Sequence, residues 1–84
     1  MLKDKVIVIT GGAGLLGKEF IKAVIEEKAI AIIADINEEL GNMAKDELSK
    51  ELKTENIDFI KLDITSKESL RNCLNYLDEK YNKV

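Results

Sequence analysis

A glycine-rich turn between two apolar segments constrains the fold of this chain more than any other feature of its sequence. Gly12, Gly14 and Gly17 come shortly after a run of four β-branched residues, Val6 to Ile9. Such a run is typical of a strand that is buried on both faces of a sheet. After the glycines, apolar residues recur at spacings of three and four, which indicates a helix that packs one face against the sheet. The positions on that face are Leu16, Phe20, Ala23 and Val24.

The same strand-to-helix pattern occurs twice more along the chain. A second apolar run from Ala29 to Ala34 ends at Asp35, and a third run from Ile57 to Leu62 ends at Asp63. A helical pattern follows each run, so the order of elements is β-α-β-α-β-α. Parallel neighbours in a sheet can be joined only by crossovers, which are right-handed. We therefore predict an α/β fold with a three-stranded parallel sheet.

The second and third helices have recognisable beginnings. Asn37 can cap the second helix, and Thr65 has the spacing of a capping box with Glu68 three residues later. In the second helix we expect the apolar face to contain Leu40, Met43, Ala44, Leu48 and Leu52. In the third helix we expect it to contain Leu70, Cys73, Leu74 and Leu77.

Length and composition are those of one small soluble domain, or part of one. The 84 residues carry a net charge of -3, which argues against binding to the phosphate backbone of nucleic acids. Cys73 is the only cysteine and there is no histidine, which excludes an intrachain disulfide and the usual mixed zinc sites. The apolar runs are too short for a signal peptide or a membrane span. We expect a cytoplasmic protein that binds no metal, nucleic acid or membrane.

The glycines also fit a dinucleotide-binding fingerprint. Gly12, Gly14 and Gly17 have the spacing G-x-G-x-x-G, and Asp35 ends the second strand 18 residues after Gly17, where such folds carry an acid. Glycine lets the backbone approach a pyrophosphate, which the N-terminus of the helix then holds. An aspartate after the second strand can accept hydrogen bonds from the ribose hydroxyls of NAD but repels the 2′-phosphate of NADP. Because Ile36 supplies no positive charge for that phosphate, the sequence favours NAD over NADP.

Simpler explanations of these residues stay open. The glycines can form an ordinary strand-to-helix turn, and Asp35 can be a solvated turn residue or a helix cap. Residues 12–18 also begin like a phosphate-binding P-loop, G-x-x-x-x-G-K. In that motif a serine or threonine that binds magnesium comes next, whereas this chain has Glu19. A nucleoside triphosphatase is therefore a minor alternative.

The turn resembles that of the short-chain dehydrogenase/reductase (SDR) family, whose first strand runs into a Thr-Gly pair and a three-glycine turn. Thr10, Gly11, Gly14 and Gly17 carry the resemblance. Their spacing, T-G-x-x-G-x-x-G, is more usual in the SDR branch that includes nucleotide-sugar epimerases, whereas many single-domain members place the second glycine one residue later. The resemblance implies an incomplete, doubly wound Rossmann fold with strand order 3-2-1, in which a fourth strand would follow strand one.

The resemblance also implies which residues bind the cofactor. Asp63 and Ile64 are similar to a pair in the family whose aspartate side chain and backbone N–H contact the adenine. An aspartate near the start of the third helix is the alternative for Asp63. The expected NAD-binding residues are Thr10, Gly11, Gly12, Gly14, Leu15, Leu16, Gly17, Asp35, Ile36, Asp63 and Ile64.

The catalytic residues of the family are not expected in this chain. The resemblance covers only about the first third of a family member, and the Asn-Ala-Gly motif, the serine and the Tyr-x-x-x-Lys pair come later. Tyr76 and Lys80 have the spacing of that pair, but they lie in the third helix and lack a suitable serine. We interpret Cys73 as a small core residue rather than a reactive thiol.

The leading hypothesis is an NAD-dependent oxidoreductase. Residues 1–84 would be the N-terminal part of one NAD(P)-binding domain, truncated and inactive alone. Its small-molecule substrate is not identified by the sequence, and the resemblance implies a homo-oligomeric parent. One alternative is an NAD-dependent nucleotide-sugar epimerase or dehydratase of the extended SDR branch. Another is a non-catalytic module that binds a dinucleotide.

Overall fold

The predicted order of elements is confirmed in the computed structural model, which describes residues 4–11 and 14–81, without the side chain of residue 15. The elements are, in chain order, β1 (Val6–Thr10), α1 (Leu15–Glu26), β2 (Ile30–Asp35), α2 (Glu38–Leu52), β3 (Ile57–Lys61) and α3 (Lys67–Tyr81). None of the helices described is long and apolar enough to cross a membrane.

The three strands form one parallel sheet with β2 in the middle, which confirms the expected order 3-2-1. Ile33 in β2 pairs with Ile9 in β1 on one side and with Phe59 in β3 on the other. β1 and β3 are therefore the edges of the sheet formed by the described residues.

The helices are divided between the two faces of the sheet. α1 and α2 cover one face, whose core contains Ile9, Ile21, Val24, Ala31, Ile33, Ala44 and Leu48. α3 covers the opposite face, whose core contains Ile32, Ala34, Leu62, Cys73 and Leu77. Two right-handed crossovers that advance in the same direction place their helices on the same face, which explains the shared position of α1 and α2.

The apolar face of α1 differs from the predicted one. Ile21 and Val24 are buried against the sheet, whereas Leu16 and Phe20 are 85% and 56% exposed and Ala23 is also exposed. Most of the circumference of this helix is apolar. Spacings of three and four therefore fit two alternative sets of residues, each of which could form the buried face. The helix packs against the sheet as predicted, but through the stripe that contains the β-branched residues.

In α2 a glycine lies at the centre of the contact with the sheet. Gly41 is buried, and a Cβ atom added there would overlap the ring of Phe59 in β3. Leu40 and Met43, which the pattern assigned to the apolar face, are 52% and 59% exposed. The predicted positions that do pack against the sheet are Ala44, Leu48 and Leu52. The missing side chain at Gly41 therefore allows close approach of α2 to β3.

The face that α3 covers is less completely buried. Cys73 and Leu77 are the buried residues of α3, as predicted, while Leu70 and Leu74 are 39% and 61% exposed. α3 packs mainly on β3. The prediction that β1 is buried on both faces is therefore wrong for most of its length, and only Ile9 in that strand is buried.

One of the two predicted helix caps is confirmed and the other is wrong. The side chain of Asn37 accepts a hydrogen bond of 2.9 Å from the backbone N–H three residues later. At the start of α3, the hydroxyl of Ser66, not Thr65, accepts the N–H of Ser69 at 3.1 Å. The hydroxyl of Thr65 instead donates to Asp63, which prevents a capping box with residue 68.

Candidate functional site

A cleft of about 430 Å³ lies at the carboxyl ends of the three strands. Ligands of open α/β sheets bind at this end because the loops there leave a crevice. The residues that line the cleft are Thr10, Gly11, Ala34, Asp35, Ile36, Leu62, Asp63, Ile64 and Thr65. The cleft thus brings together the predicted residues of all three strand ends, although they are far apart in the sequence.

The glycine turn connects β1 to α1 beside this cleft. Gly11 has a φ of +67° and donates a hydrogen bond of 2.9 Å to the carbonyl of Ala34, which extends the pairing of β1 with β2. A φ in this region is strained for residues other than glycine. Gly14 is the N-cap of α1, whereas the predicted Gly12 lies outside the described residues.

Gly14 has no structural reason within the described residues to be glycine. Its φ of -80° suits any residue, and a Cβ atom there would meet only the carbonyl oxygen of Gly11, at an ordinary 3.6 Å. No side chain of the described residues caps α1, and the first turn of α1 carries no acidic residue. The first N–H groups of a helix are hydrogen-bond donors without intrahelical partners and attract anions.

Other residues predicted in α1 do not line the cleft. Leu16 is 85% exposed on the surface of the helix, and Gly17 is partly buried. For Leu15 only the backbone is described, and it forms the first residue of α1.

Asp35 ends β2 with its side chain at the cleft. One carboxylate oxygen, Oδ1, accepts the backbone N–H of Asn37 at 3.1 Å. The backbone carbonyl of Asp35 accepts the N–H of Leu62 at 3.0 Å, which holds the ends of β2 and β3 together. The second carboxylate oxygen makes no hydrogen bond to the described part of the chain.

Asp63 follows β3 on the opposite side of the cleft. Its Oδ1 accepts the hydroxyl of Thr65 at 2.6 Å and the backbone N–H of Thr65 at 3.0 Å. These two hydrogen bonds from Thr65 lower the pKa of the Asp63 carboxyl below its ordinary value. The backbone N–H of Asp63 donates to the hydroxyl of Ser69 in α3 at 2.9 Å.

Two exposed isoleucines flank the carboxylates. Ile36 is 59% exposed and Ile64 is 68% exposed, and both line the cleft. Ligand sites are typically lined by apolar side chains with a few polar groups that fix the orientation of the ligand. The cleft can therefore accept a molecule that has an apolar part and several hydrogen-bond donors.

The cleft carries negative but no positive side chains. Among its lining residues, Asp35 and Asp63 are acidic, and none is lysine or arginine. Lys18, the lysine of the P-loop pattern, forms an ion pair with Glu47 of α2 at 3.7 Å. No group of His, Cys, Asp and Glu within residues 4–11 and 14–81 is suited to a metal ion.

Tyr76 and Lys80 lie away from the cleft, near the amino end of β3, where they surround Asp58. The carboxylate Oδ2 accepts hydrogen bonds from the hydroxyls of Tyr76 and Tyr81 at 2.7 and 2.9 Å, and from the Lys80 ammonium at 2.8 Å. Burial and the hydrogen bond to Asp58 raise the pKa of Tyr76, more than the nearby ammonium lowers it. This is opposite to the activation that a catalytic tyrosine needs at neutral pH.

The sequence analysis did not identify Asp58. Its only signal is an aspartate in an otherwise apolar strand, between Ile57 and Phe59. Asp58 is only 8% exposed, and hydrogen-bond donors from α3 replace the water that its carboxylate loses on burial. Cys73 is buried, as predicted, and burial raises the pKa of its thiol.

Comparisons with known proteins identify relatives by sequence and by fold. The sequence profile described as short chain dehydrogenase matches residues 5–84. Post-translational flagellin modification protein A of Campylobacter coli is 44% identical over 84 residues, which are 100% of this chain and 32% of that protein.

Solved structures have the same fold. The crystal structure of gox2181 has a TM-score of 0.89 and 30% identity, covering 99% of this chain and 32% of the other. A short chain dehydrogenase/reductase of Burkholderia phymatum, in complex with NAD, has a TM-score of 0.85 and 20% identity, covering 99% and 29%. At that identity the likeness concerns the fold alone. The chain spans about a third of the length of the curated relatives it matches.

Proposed function

Because this chain belongs to the short chain dehydrogenase family, we propose that residues 1–84 form the N-terminal, NAD-binding part of a longer oxidoreductase domain. The observation that supports this most strongly is the single cleft that contains Thr10, Gly11, Asp35 and Asp63. These residues come from the ends of all three strands, where a dinucleotide is bound in doubly wound folds.

The cofactor would extend from α1 to Asp63. Its pyrophosphate would accept hydrogen bonds from the uncapped N–H groups that follow Gly14, where a side chain would obstruct its approach. The adenosine ribose would donate its hydroxyls to Asp35. Asp63 and Ile64 would contact the edge of the adenine, and Ile36 would cover part of its apolar surface.

We propose NAD rather than NADP as the cofactor. A 2′-phosphate would lie beside the Asp35 carboxylate, and the lining of the cleft provides no lysine or arginine to compensate the repulsion. The two ribose hydroxyls of NAD can instead donate to the Asp35 oxygen that Asn37 leaves free.

The position of α3 supports a longer domain. α3 lies on the face opposite α1 and α2, so a right-handed crossover through it returns across the sheet towards β1. A fourth strand reached in this way would pair with the open edge of β1 and would complete the cleft beside the glycine turn. We propose that the substrate site and the catalytic residues belong to the part of the protein after this crossover.

A dehydrogenase or reductase is favoured over a nucleotide-sugar epimerase. The matching family profile and several relatives carry the names dehydrogenase or reductase. The flagellin modification protein suggests a biological context, in which the longer protein would act in post-translational modification of flagellin. Flagellin of unchanged mass after deletion of the gene would contradict that context.

The experiment that tests the proposed function is equilibrium dialysis of the 84-residue chain against NAD and NADP. We expect weak binding of NAD and still weaker binding of NADP. Absence of NAD binding by soluble, folded protein would contradict the proposal. We expect no NAD reduction by this chain alone, and activity that is lost in Tyr76→Phe would assign catalysis to the Tyr76 and Lys80 pair instead.

A further inference from the structure

The carboxylate of Asp63 is asymmetric in its hydrogen bonding. The Thr65 hydroxyl at 2.6 Å and the Thr65 backbone N–H at 3.0 Å both donate to Oδ1. Oδ2 makes no hydrogen bond to any residue that the structure describes. Two donors on one oxygen restrict rotation of the carboxylate, so Oδ2 is the atom that remains to accept a hydrogen bond from a ligand.

The backbone of Asp63 is fixed as well. Its N–H donates to the hydroxyl of Ser69, 2.9 Å away in the first turn of α3. Ser69 is in turn held by its own N–H, which donates to the cap residue Ser66. The side chain and the main chain of Asp63 are therefore both oriented before a ligand arrives, and such preorganisation reduces the entropy cost of binding.

We propose that Thr65 is a positioning residue that presents Oδ2 of Asp63 to the base of the cofactor, and thereby selects a base with an amino group. This inference rests on the proposed function, because it concerns the adenine half of the same cleft. An ionised carboxylate only accepts hydrogen bonds, so its free oxygen attracts the exocyclic amine of adenine and repels the carbonyl of hypoxanthine. Thr65 itself lines the cleft, beside Asp63 and Ile64.

The protonation state of Asp63 agrees with this role. Hydrogen bonds from the side chain and backbone of Thr65 lower the pKa of the Asp63 carboxyl. The carboxyl is therefore ionised at neutral pH and cannot donate to a carbonyl of the base.

The test is equilibrium dialysis of the 84-residue chain against AMP and IMP, which differ at the position of the amino group. We expect the unsubstituted chain to prefer AMP by about tenfold or more, the value of a hydrogen bond to a charged acceptor. Thr65→Val removes the hydroxyl and should reduce the ratio of the two affinities by about 2- to 10-fold, the cost of ordering one side chain. Thr65→Ser should retain the original ratio.

Thr54→Val is the matched control. The Thr54 hydroxyl also holds a nearby backbone N–H, that of Asn56 at 3.1 Å, but it lies outside the cleft. We expect no change in the ratio of AMP to IMP affinity. The carboxyl titration of Asp63, followed by NMR, should move to higher pH in Thr65→Val and remain unchanged in Thr54→Val.

Asp63→Asn provides a second, independent test. Because Thr65 donates twice to Oδ1, the amide oxygen must take that place, and the amide nitrogen then occupies the position of Oδ2. AMP binding should weaken and IMP binding should strengthen, so that their affinity ratio falls by at least about tenfold.

The outcomes separate this inference from the proposed function. A soluble, folded chain that binds neither AMP nor NAD overturns both. A chain that binds both nucleotides but keeps its AMP preference in Thr65→Val overturns only the inference. If Thr65→Val weakened the binding of AMP and of IMP equally, Thr65 would merely support the loop. This result would also overturn the inference.

Discussion

The ammonium of Lys80 lies 2.8 Å from Oδ2 of Asp58 and joins the last turn of α3 to the amino end of β3. Tyr76 and Tyr81 donate to the same oxygen, so three side chains of one helix meet the carboxylate of Asp58, a residue that is 8% exposed. α3 otherwise contributes two buried side chains, Cys73 and Leu77. A polar cluster thus fixes a helix whose apolar contact with the sheet is small.

We predict that Asp58→Asn destabilises the protein by about 2 kcal/mol, because the hydrogen bonds to a charged acceptor are replaced by weaker ones. Urea unfolding measures this change. Hydrogen exchange should show faster exchange of α3 amides than of α2 amides. Asp46→Asn, on the exposed surface of α2, is the control and should change stability by less than about 0.5 kcal/mol. Equal effects of the two substitutions would contradict the role of Asp58.

The Asp58 cluster also predicts a pH dependence. Burial opposes ionisation of Asp58, but hydrogen bonds from Lys80 and Tyr76 outweigh it and hold the pKa of Asp58 well below the ordinary value. Its stabilisation is therefore complete above the ordinary aspartate pKa of about 3.9 and is lost as the pH falls further. Burial and the bond to Asp58 raise the pKa of Tyr81 to about 12. Stability should therefore also fall as the pH rises from about 10 towards 12.

Thermal unfolding as a function of pH tests this expectation. The stability of Asp58→Asn should depend less on pH at both ends of the range. At acid pH the carboxyl of Asp58 no longer titrates, and at alkaline pH the charge that adds to burial in raising the pKa of Tyr81 is gone. Profiles of identical shape in the two proteins would show that other groups determine the pH dependence.

Packing of Gly41 against Phe59 leads to a further prediction. Gly41→Ala improves helix propensity by about 1 kcal/mol, but the added Cβ overlaps the Phe59 ring and costs about 1 to 3 kcal/mol. We expect net destabilisation in urea unfolding. The smaller side chain of Phe59→Leu should make Gly41→Ala less harmful or stabilising, and a double-mutant cycle measures this coupling. Additive effects would show that the ring moves aside without cost.

Periodicity predicted the order of elements and the parallel sheet, but it could not select the buried face of each helix. In α1, Leu16 and Ile21 belong to different stripes that both repeat at three and four, and only the sheet decides between them. The packing of Gly41 was equally unpredictable, because a glycine within a helix does not indicate that another side chain packs on it. The contact with the Phe59 ring becomes evident only in the structure. The role of Asp58 could not be predicted from its neighbours in the sequence, because the tyrosines that donate to it lie 18 and 23 residues away.

The meeting of the strand ends at one cleft was easier to predict, for a topological reason. In a parallel sheet all strands end at the same edge, so Thr10, Asp35 and Asp63 must meet there once the strands are assigned. What the sequence could not reveal is how each carboxylate is oriented. The spacing of Thr65 and Glu68 predicted that the Thr65 hydroxyl caps α3. In the structure this hydroxyl donates to Asp63 instead, because of the conformation of the local turn.

Asp35→Ala should weaken binding of NAD and narrow the preference for NAD over NADP, because it removes both the ribose acceptor and the charge that repels the 2′-phosphate. Equilibrium dialysis with the two dinucleotides measures the preference. Asp46→Ala is the control, because Asp46 is exposed on α2 and does not line the cleft. An unchanged preference in Asp35→Ala would exclude Asp35 from cofactor selection.

The open edge of β1 leads to the last prediction. Within residues 4–11 and 14–81, β1 pairs only with β2, and from Val6 to Thr10 it carries no charged residue. β3 also has an unpaired edge among the described residues, but Asp58 and Lys61 interrupt its apolar pattern, and charges on edge strands oppose association. We therefore expect the isolated 84-residue chain to be marginally stable and to dimerise or aggregate through β1 rather than β3.

Analytical ultracentrifugation at several concentrations tests this expectation. Association should increase with concentration, and a longer version that adds the next strand should be more soluble, because that strand would pair with the free N–H and C=O groups of β1. The longer version should also bind NAD more tightly, since the added strand would complete the cleft at the switch point of the sheet. A strictly monomeric, cooperatively folded 84-residue chain that binds NAD tightly would contradict both expectations. It would instead favour a complete, non-catalytic dinucleotide-binding module.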